Sequence, residues 1–81
     1  MEDQEKQGYL LSFGDSLRNL RTKAGLSQEE LAERAGIDRS YLGGIERGEH
    51  NLALINIIKI AKALNLLPHK LLENLSTASD S

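Results

Sequence analysis

Cysteine and tryptophan are absent from the 81 residues, proline occurs once, at position 68, and aromatic rings are limited to Tyr9, Phe13 and Tyr41. Without a thiol there is neither a disulfide framework nor a thiolate zinc site to stabilise so short a chain, so helix packing or a partner subunit has to do it. Few rings leave a thin aliphatic core of Leu and Ile. No run of about 18 apolar residues occurs, which excludes a spanning helix. Residues 1–7 are acidic and polar, where a secretory leader would be basic and then apolar. A cytoplasmic protein with no membrane partner is expected. The length admits one small domain and excludes a large enzyme fold.

A strong charge of one sign is also missing: the formal net charge is −2. Its distribution says more than the sum. Residues 13–72 hold nine Lys or Arg against seven Asp or Glu, while residues 1–12 and 73–81 are each net −2. A mildly basic domain therefore sits between acidic ends. We divide the chain into a flexible acidic arm (1–9), a domain (10–75) and a disordered Ser, Thr and Asp tail (76–81).

What is present is helical periodicity, with no strand alternation, repeat or low-complexity core. Leu10, Phe13, Leu17, Leu20 and Ala24 share one face of a helix from about Leu11 to Lys23, stopped by Gly25. Ser27-Gln28-Glu29-Glu30 is a capping box, and it opens a short second helix with Leu31, Ala32 and Ala35 inward, broken by Gly36. Asp38 can cap a third helix, Arg39 to Arg47, whose inward residues are only Leu42 and Ile45; Gly43 and Gly44 stand in its middle and Gly48 closes it. Leu54, Ile57, Ile58, Ala61 and Leu64 mark a fourth helix, ended by Asn65, and Pro68 opens a fifth with Leu71, Leu72 and Leu75 inward. The expected fold is all-α with five helices.

Two short helices joined through a glycine, the second poor in core residues, have the layout of a helix-turn-helix. A major groove about 12 Å wide admits a helix only if its outer face is free and its first turn carries side chains that reach base edges. Arg39, Ser40 and Tyr41 occupy that turn. Arg39 suits bidentate reading of guanine, Ser40 bonds to either pair type, and Gly43 and Gly44 let the helix lie close. The N-terminus of the second helix favours an anion.

Competing chemistries lack residues. Glu29, Glu30 and Glu33 read as the solvated face of the second helix. His50 and His69 are 19 positions apart with no HExxH spacing. There is no serine in a nucleophile elbow and no phosphate-cradling glycine pattern. No catalytic residue, metal or cofactor is expected.

The run Leu26 to Ile37, with Ser40-Tyr41-Leu42 and Ile45-Glu46-Arg47-Gly48, resembles the Cro and phage-repressor (Xre-type) helix-turn-helix regulators from about Phe13 to Leu72. Asp38-Arg39-Ser40-Tyr41 followed by Gly44-Ile45-Glu46-Arg47-Gly48 is most similar to the controller proteins of restriction-modification systems. The resemblance implies a transcriptional regulator with base contacts from Arg39, Ser40, Tyr41 and Gly44. It implies phosphate contacts from Gln28 and from the loop residues Arg47, His50 and Asn51, with Ser27 and Arg21 as further candidates. It also implies a structural ion pair between Arg21 and Glu46, and Glu46 facing RNA polymerase. Where related repressors carry a polar side chain this sequence has Gly44, so DNA shape gains weight over direct contact.

Ile55 and Ile60 lie on the flanks of the fourth helix, and Leu66, Leu67, Leu71, Leu72 and Leu75 crowd the segment after it, an apolar surplus that suggests a subunit interface. Ile55, Leu66, Leu67, Leu71 and Leu75 are its expected members. A two-fold homodimer would set its recognition helices about 34 Å apart on a palindromic site in double-stranded DNA. A phage-type repressor, the antitoxin of a toxin pair and a protein-interaction module without DNA stay open as alternatives.

Overall fold

The computed structural model describes residues 1–76, so the expected tail lies outside the described residues from position 77 onward. Four α-helices, α1 (Asp3–Lys23), α2 (Gln28–Ala35), α3 (Arg39–Glu46) and α4 (Leu54–Ala63), are followed by one 3-10 turn, Pro68–Leu71, and no strand occurs among the described residues. The architecture is all-α, with a single 3-10 turn where a fifth α-helix is expected. One turn suffices to bury Leu71, and the chain then bends away.

The segment assigned to a flexible arm is helical. From Asp3 to Gln7 it carries acidic residues in the first turn, which suit a helix N-terminus, and Gln7 Nε2 donates to the Gly48 carbonyl at 3.0 Å. No apolar stripe marks this stretch, and Gly8 interrupts it, so periodicity gives no sign of the extension.

The second helix follows its capping box: Ser27 Oγ accepts from Glu30 N–H at 3.0 Å while Ser27 N–H donates to Glu30 Oε1 at 2.9 Å. The Ser27 N–H donating to Oε1, helped by the adjacent Ser27 hydroxyl, holds the Glu30 carboxyl below the usual carboxylate range. Gly36 ends α2 at φ 71°, a left-handed conformation that costs glycine nothing and turns the chain into α3.

Helix α3 packs on α1 and α2, α2 also packs on α4, and the 3-10 turn closes against α4 and α1. Phe13, Leu17, Leu26, Leu31, Ala32, Ala35, Leu42, Ile45, Ile60, Ala61 and Leu71 form one continuous buried cluster. Gly14 sits where α1 crosses the end of α3. A Cβ there would stand 2.5 Å from the Glu46 carbonyl oxygen and 2.7 Å from that of Ile45, so the crossing depends on an absent side chain.

The fourth helix is rotated from its expected register. Ile60 is wholly buried and not on a flank, while Leu54, expected inward, is 67% exposed. Ala53 occupies the N-cap position without a side-chain hydrogen bond, and Leu54 and Ile55 form a first turn that projects past the core. No described helix is long and apolar enough to cross a membrane.

Candidate nucleic-acid interface

Helix α3 is divided by side. Leu42, Ile45 and Glu46 point into the domain; Arg39, Ser40 and Arg47 are exposed. Asp38 takes the N-cap position with extended backbone but makes no side-chain cap bond. The chain's own body leaves the first turn uncovered at Arg39 and Ser40, as reading a groove requires.

That outward turn is anchored by a buried carboxylate. Glu46, 2% exposed, accepts from Arg21 Nε at 2.7 Å, Arg21 Nη2 at 3.0 Å and Gln28 Nε2 at 3.0 Å. Arg18 adds Nη2 to the Glu46 backbone carbonyl at 3.1 Å and lies 3.6 Å from its carboxylate. Burial alone would favour the neutral acid, but the hydrogen bonds from Arg21 and Gln28 and the charges of Arg21 and Arg18 outweigh it and hold Glu46 below the usual carboxylate range. The network continues outward: the other end of the Gln28 amide, Oε1, accepts from Arg39 Nη1 at 3.3 Å. One line of bonds thus runs from α1 through the end of α3 and the start of α2 to the exposed arginine. Among the described residues no buried side-chain nitrogen or oxygen lacks a partner.

The expected site residues differ in how far the domain already engages them. Arg21 gives its third donor, Nη1, to the Leu26 carbonyl at 2.8 Å and is mostly covered beside Glu46. Glu46, expected to face polymerase, lies buried against side chains of α1 and α2. Tyr41 is half-buried against the core, its hydroxyl accepts from Asn56 Nδ2 at 3.1 Å, and its ring lies 4.9 Å from that of His50. Gly44 is buried beneath the His50 ring. The Ser27 hydroxyl is engaged as a helix cap, and Gln28 has both amide atoms in internal bonds. Arg47 is exposed but paired with Glu49 at 2.9 Å; Asn51 is exposed and lines a groove with Tyr9, Leu10 and Leu75.

Arg18, Glu49 and Asn56 belong to the site's surroundings and escape the sequence reading. Arg18 carries a signal, standing three positions before Arg21 on the same side of α1. Glu49 lies in a stretch with no periodicity to place it.

Among the expected interface residues, Ile55 is 61% and Leu67 65% exposed, Leu75 is exposed and Leu66 half-buried. Leu71 is not available to a partner: at 1% exposure it belongs to the monomer core. Leu54 and Leu72 are exposed as well, against the inward placement that periodicity predicts. Among the described residues no group of three or more His, Asp or Glu could hold a metal ion.

A profile of the helix-turn-helix family matches residues 17–72, which spans every element from the second half of α1 to the 3-10 turn. The chain belongs to the helix-turn-helix family. This helix-turn-helix protein is 45% identical over 64 residues to control protein C.BamHI of Bacillus amyloliquefaciens, covering 78% of this chain and 79% of the relative. It is 47% identical over 60 residues to control protein C.SmaI of Serratia marcescens, covering 74% and 71%. The crystal structure of the restriction-modification controller protein C.AhdI from Aeromonas hydrophila superposes with a TM-score of 0.76 at 56% identity, covering 76% of this chain and 94% of that one. The protein is a helix-turn-helix DNA-binding transcriptional regulator and not an enzyme.

Proposed function

We propose that this protein is the controller of a restriction-modification system and binds a palindromic operator in double-stranded DNA as a two-fold homodimer. The observation that carries the DNA reading is the exposed first turn of α3, with Arg39 and Ser40 outward and Arg39 tied through Gln28 to a buried, fully bonded carboxylate. A base-reading arginine held on a rigid frame loses less freedom on binding than a loose one. The controller assignment is supported by the likeness to proteins that bear that name.

The homodimer is supported by Leu54 and Ile55 in the first turn of α4 and Leu67 just beyond its end, large apolar side chains each more than half exposed. Regulation is by occupancy. The bound dimer excludes RNA polymerase or helps recruit it, according to where the operator lies. Selection of duplexes from a random pool, followed by footprinting, tests the whole reading. A symmetric consensus with half-sites one helical turn apart, about 34 Å, is expected, and failure to enrich any sequence overturns it.

A further inference from the structure

Two successive glycines leave the outward side of α3 bare, yet neither Gly43 nor Gly44 is open to solvent. A Cβ on Gly43 would stand 3.2 Å from Arg47 Nη1 and 3.5 Å from Gln28 Oε1; one on Gly44 would meet His50 Nε2 at 2.5 Å and Glu49 Oε1 at 3.4 Å. Four side chains therefore roof the strip between the reading turn and the end of the helix. Arg47 and His50 carry donors suited to a nucleic-acid backbone, while the Gln28 amide is already engaged by Glu46 and Arg39. The fourth is a carboxylate, which a polyanion repels.

Glu49 engages Arg47 through both oxygens: Arg47 Nε donates to Oε2 at 2.9 Å and Nη2 donates to Oε1 at 3.1 Å. Two near-parallel N–H···O bonds are the geometry a guanidinium also offers a phosphate or a guanine edge. Both side chains are about half exposed, with 59% and 54% of their surface in solvent, so water and salt can compete for the pair and it opens at small cost.

We infer that Glu49 is a specificity-determining residue: in the free protein its carboxylate holds the place of a DNA phosphate on Arg47 and must be displaced before a duplex can settle over Gly43 and Gly44. This rests on the DNA-binding reading above. A random duplex, held by loose ionic contacts, meets Arg47 already neutralised and Glu49 repelling its phosphates. A matched duplex engages Arg39 and Ser40 first. Those bonds draw α3 inward until a phosphate exchanges for the carboxylate, and Arg47 is then released to the backbone. Glu49 thus lowers affinity for unmatched DNA more than for the operator, and the ratio between them widens.

The test uses full-length protein with Glu49→Gln, measured against the selected operator and a scrambled duplex of equal length over a range of salt. Binding to the scrambled duplex should tighten about tenfold at low salt. Its log affinity against log salt should steepen by about 0.9 for each Arg47 released, close to 2 for a dimer. Operator binding should tighten less, so the ratio falls. In an Arg47→Ala background the same Glu49→Gln change should leave the slope unaltered. An unaltered slope in the single variant, weaker binding by it, or an equal gain with Arg47 removed would each overturn the inference. Wild-type binding to the operator separates the two levels. If it is absent, the DNA reading fails and takes this inference with it; if it is present and the variant behaves as wild type, the Glu49 role alone fails.

Discussion

Replacing Glu46 with alanine tests the frame on which the reading helix rests. The substitution removes the acceptor of Arg21 Nε at 2.7 Å, Arg21 Nη2 at 3.0 Å and Gln28 Nε2 at 3.0 Å, and leaves Arg21 with the Leu26 carbonyl alone. The Arg21 side chain is 12% exposed, so water reaches little of the orphaned charge. Breaking a buried ion pair from one side typically costs about 3–5 kcal/mol. A domain of this size has a total stability of about 4–12 kcal/mol, so the loss takes a large share of it and lowers the melting temperature by roughly 12–40 °C.

Urea and thermal denaturation followed by helical circular dichroism, at pH 7 and fixed protomer concentration, measure the effect. The double variant Arg21→Met with Glu46→Leu removes both charges and should recover most of the loss, because the penalty arises from the unpaired group and not from the missing attraction. A Glu46→Ala protein within 1 kcal/mol of its parent, or a double variant as unstable as the single one, would refute the reasoning.

Gly14→Ala should destabilise the fold by about 3 kcal/mol or more, since the new methyl would meet backbone atoms that cannot step aside; the urea midpoint reports it. Leu67→Lys combined with Ile55→Lys should leave the helical signal and monomer melting intact while shifting the sedimentation of a dimer to that of a monomer, and it should weaken operator binding in parallel. Glu46 titrates below its ordinary range in the folded protein, so the native state binds fewer protons than the unfolded one in that window. Its contribution is therefore complete above about pH 4.3 and is lost as pH falls through the depressed folded value. The urea midpoint should hold steady from about pH 8 to 6 and decline below about 4.3, more shallowly in Glu46→Gln. Arg39→Ala should weaken operator binding by about 1–3 kcal/mol and relax selectivity at one base pair.

The parts of the fold that periodicity and capping specify are legible in the sequence: the helical phase of α1 from Phe13 onward, the Ser27 capping box, the Gly36 turn and the exposed start of α3. Each depends on neighbours within four residues, so local chemistry settles it. Other features depend on what lies across the domain. Gly8 and polar neighbours hide the α1 extension, which is tied by Gln7 to a carbonyl 41 positions away. The α4 register is ambiguous in the sequence because Leu54, Ile55, Ile57, Ile58 and Ile60 are all apolar, and only packing against α2 selects Ile60 and Ala61 for the core. The partners of Tyr41, Gly44 and Arg47 come from Asn56, His50 and Glu49, in the loop after α3 and the helix beyond it. Sequence spacing identifies α3 as the presenting helix but is silent on which of its side chains the adjoining loop covers.

Because α3 is secured from behind by Leu42, Ile45 and Glu46, positions 39, 40, 47 and 49 lie outside the buried core and bond only near the surface. A lineage can redraw those four positions while the rest of the molecule goes on folding unchanged. Such a scaffold can follow a drifting target site one substitution at a time, and its recognition can be rewritten in the laboratory without first repairing the protein.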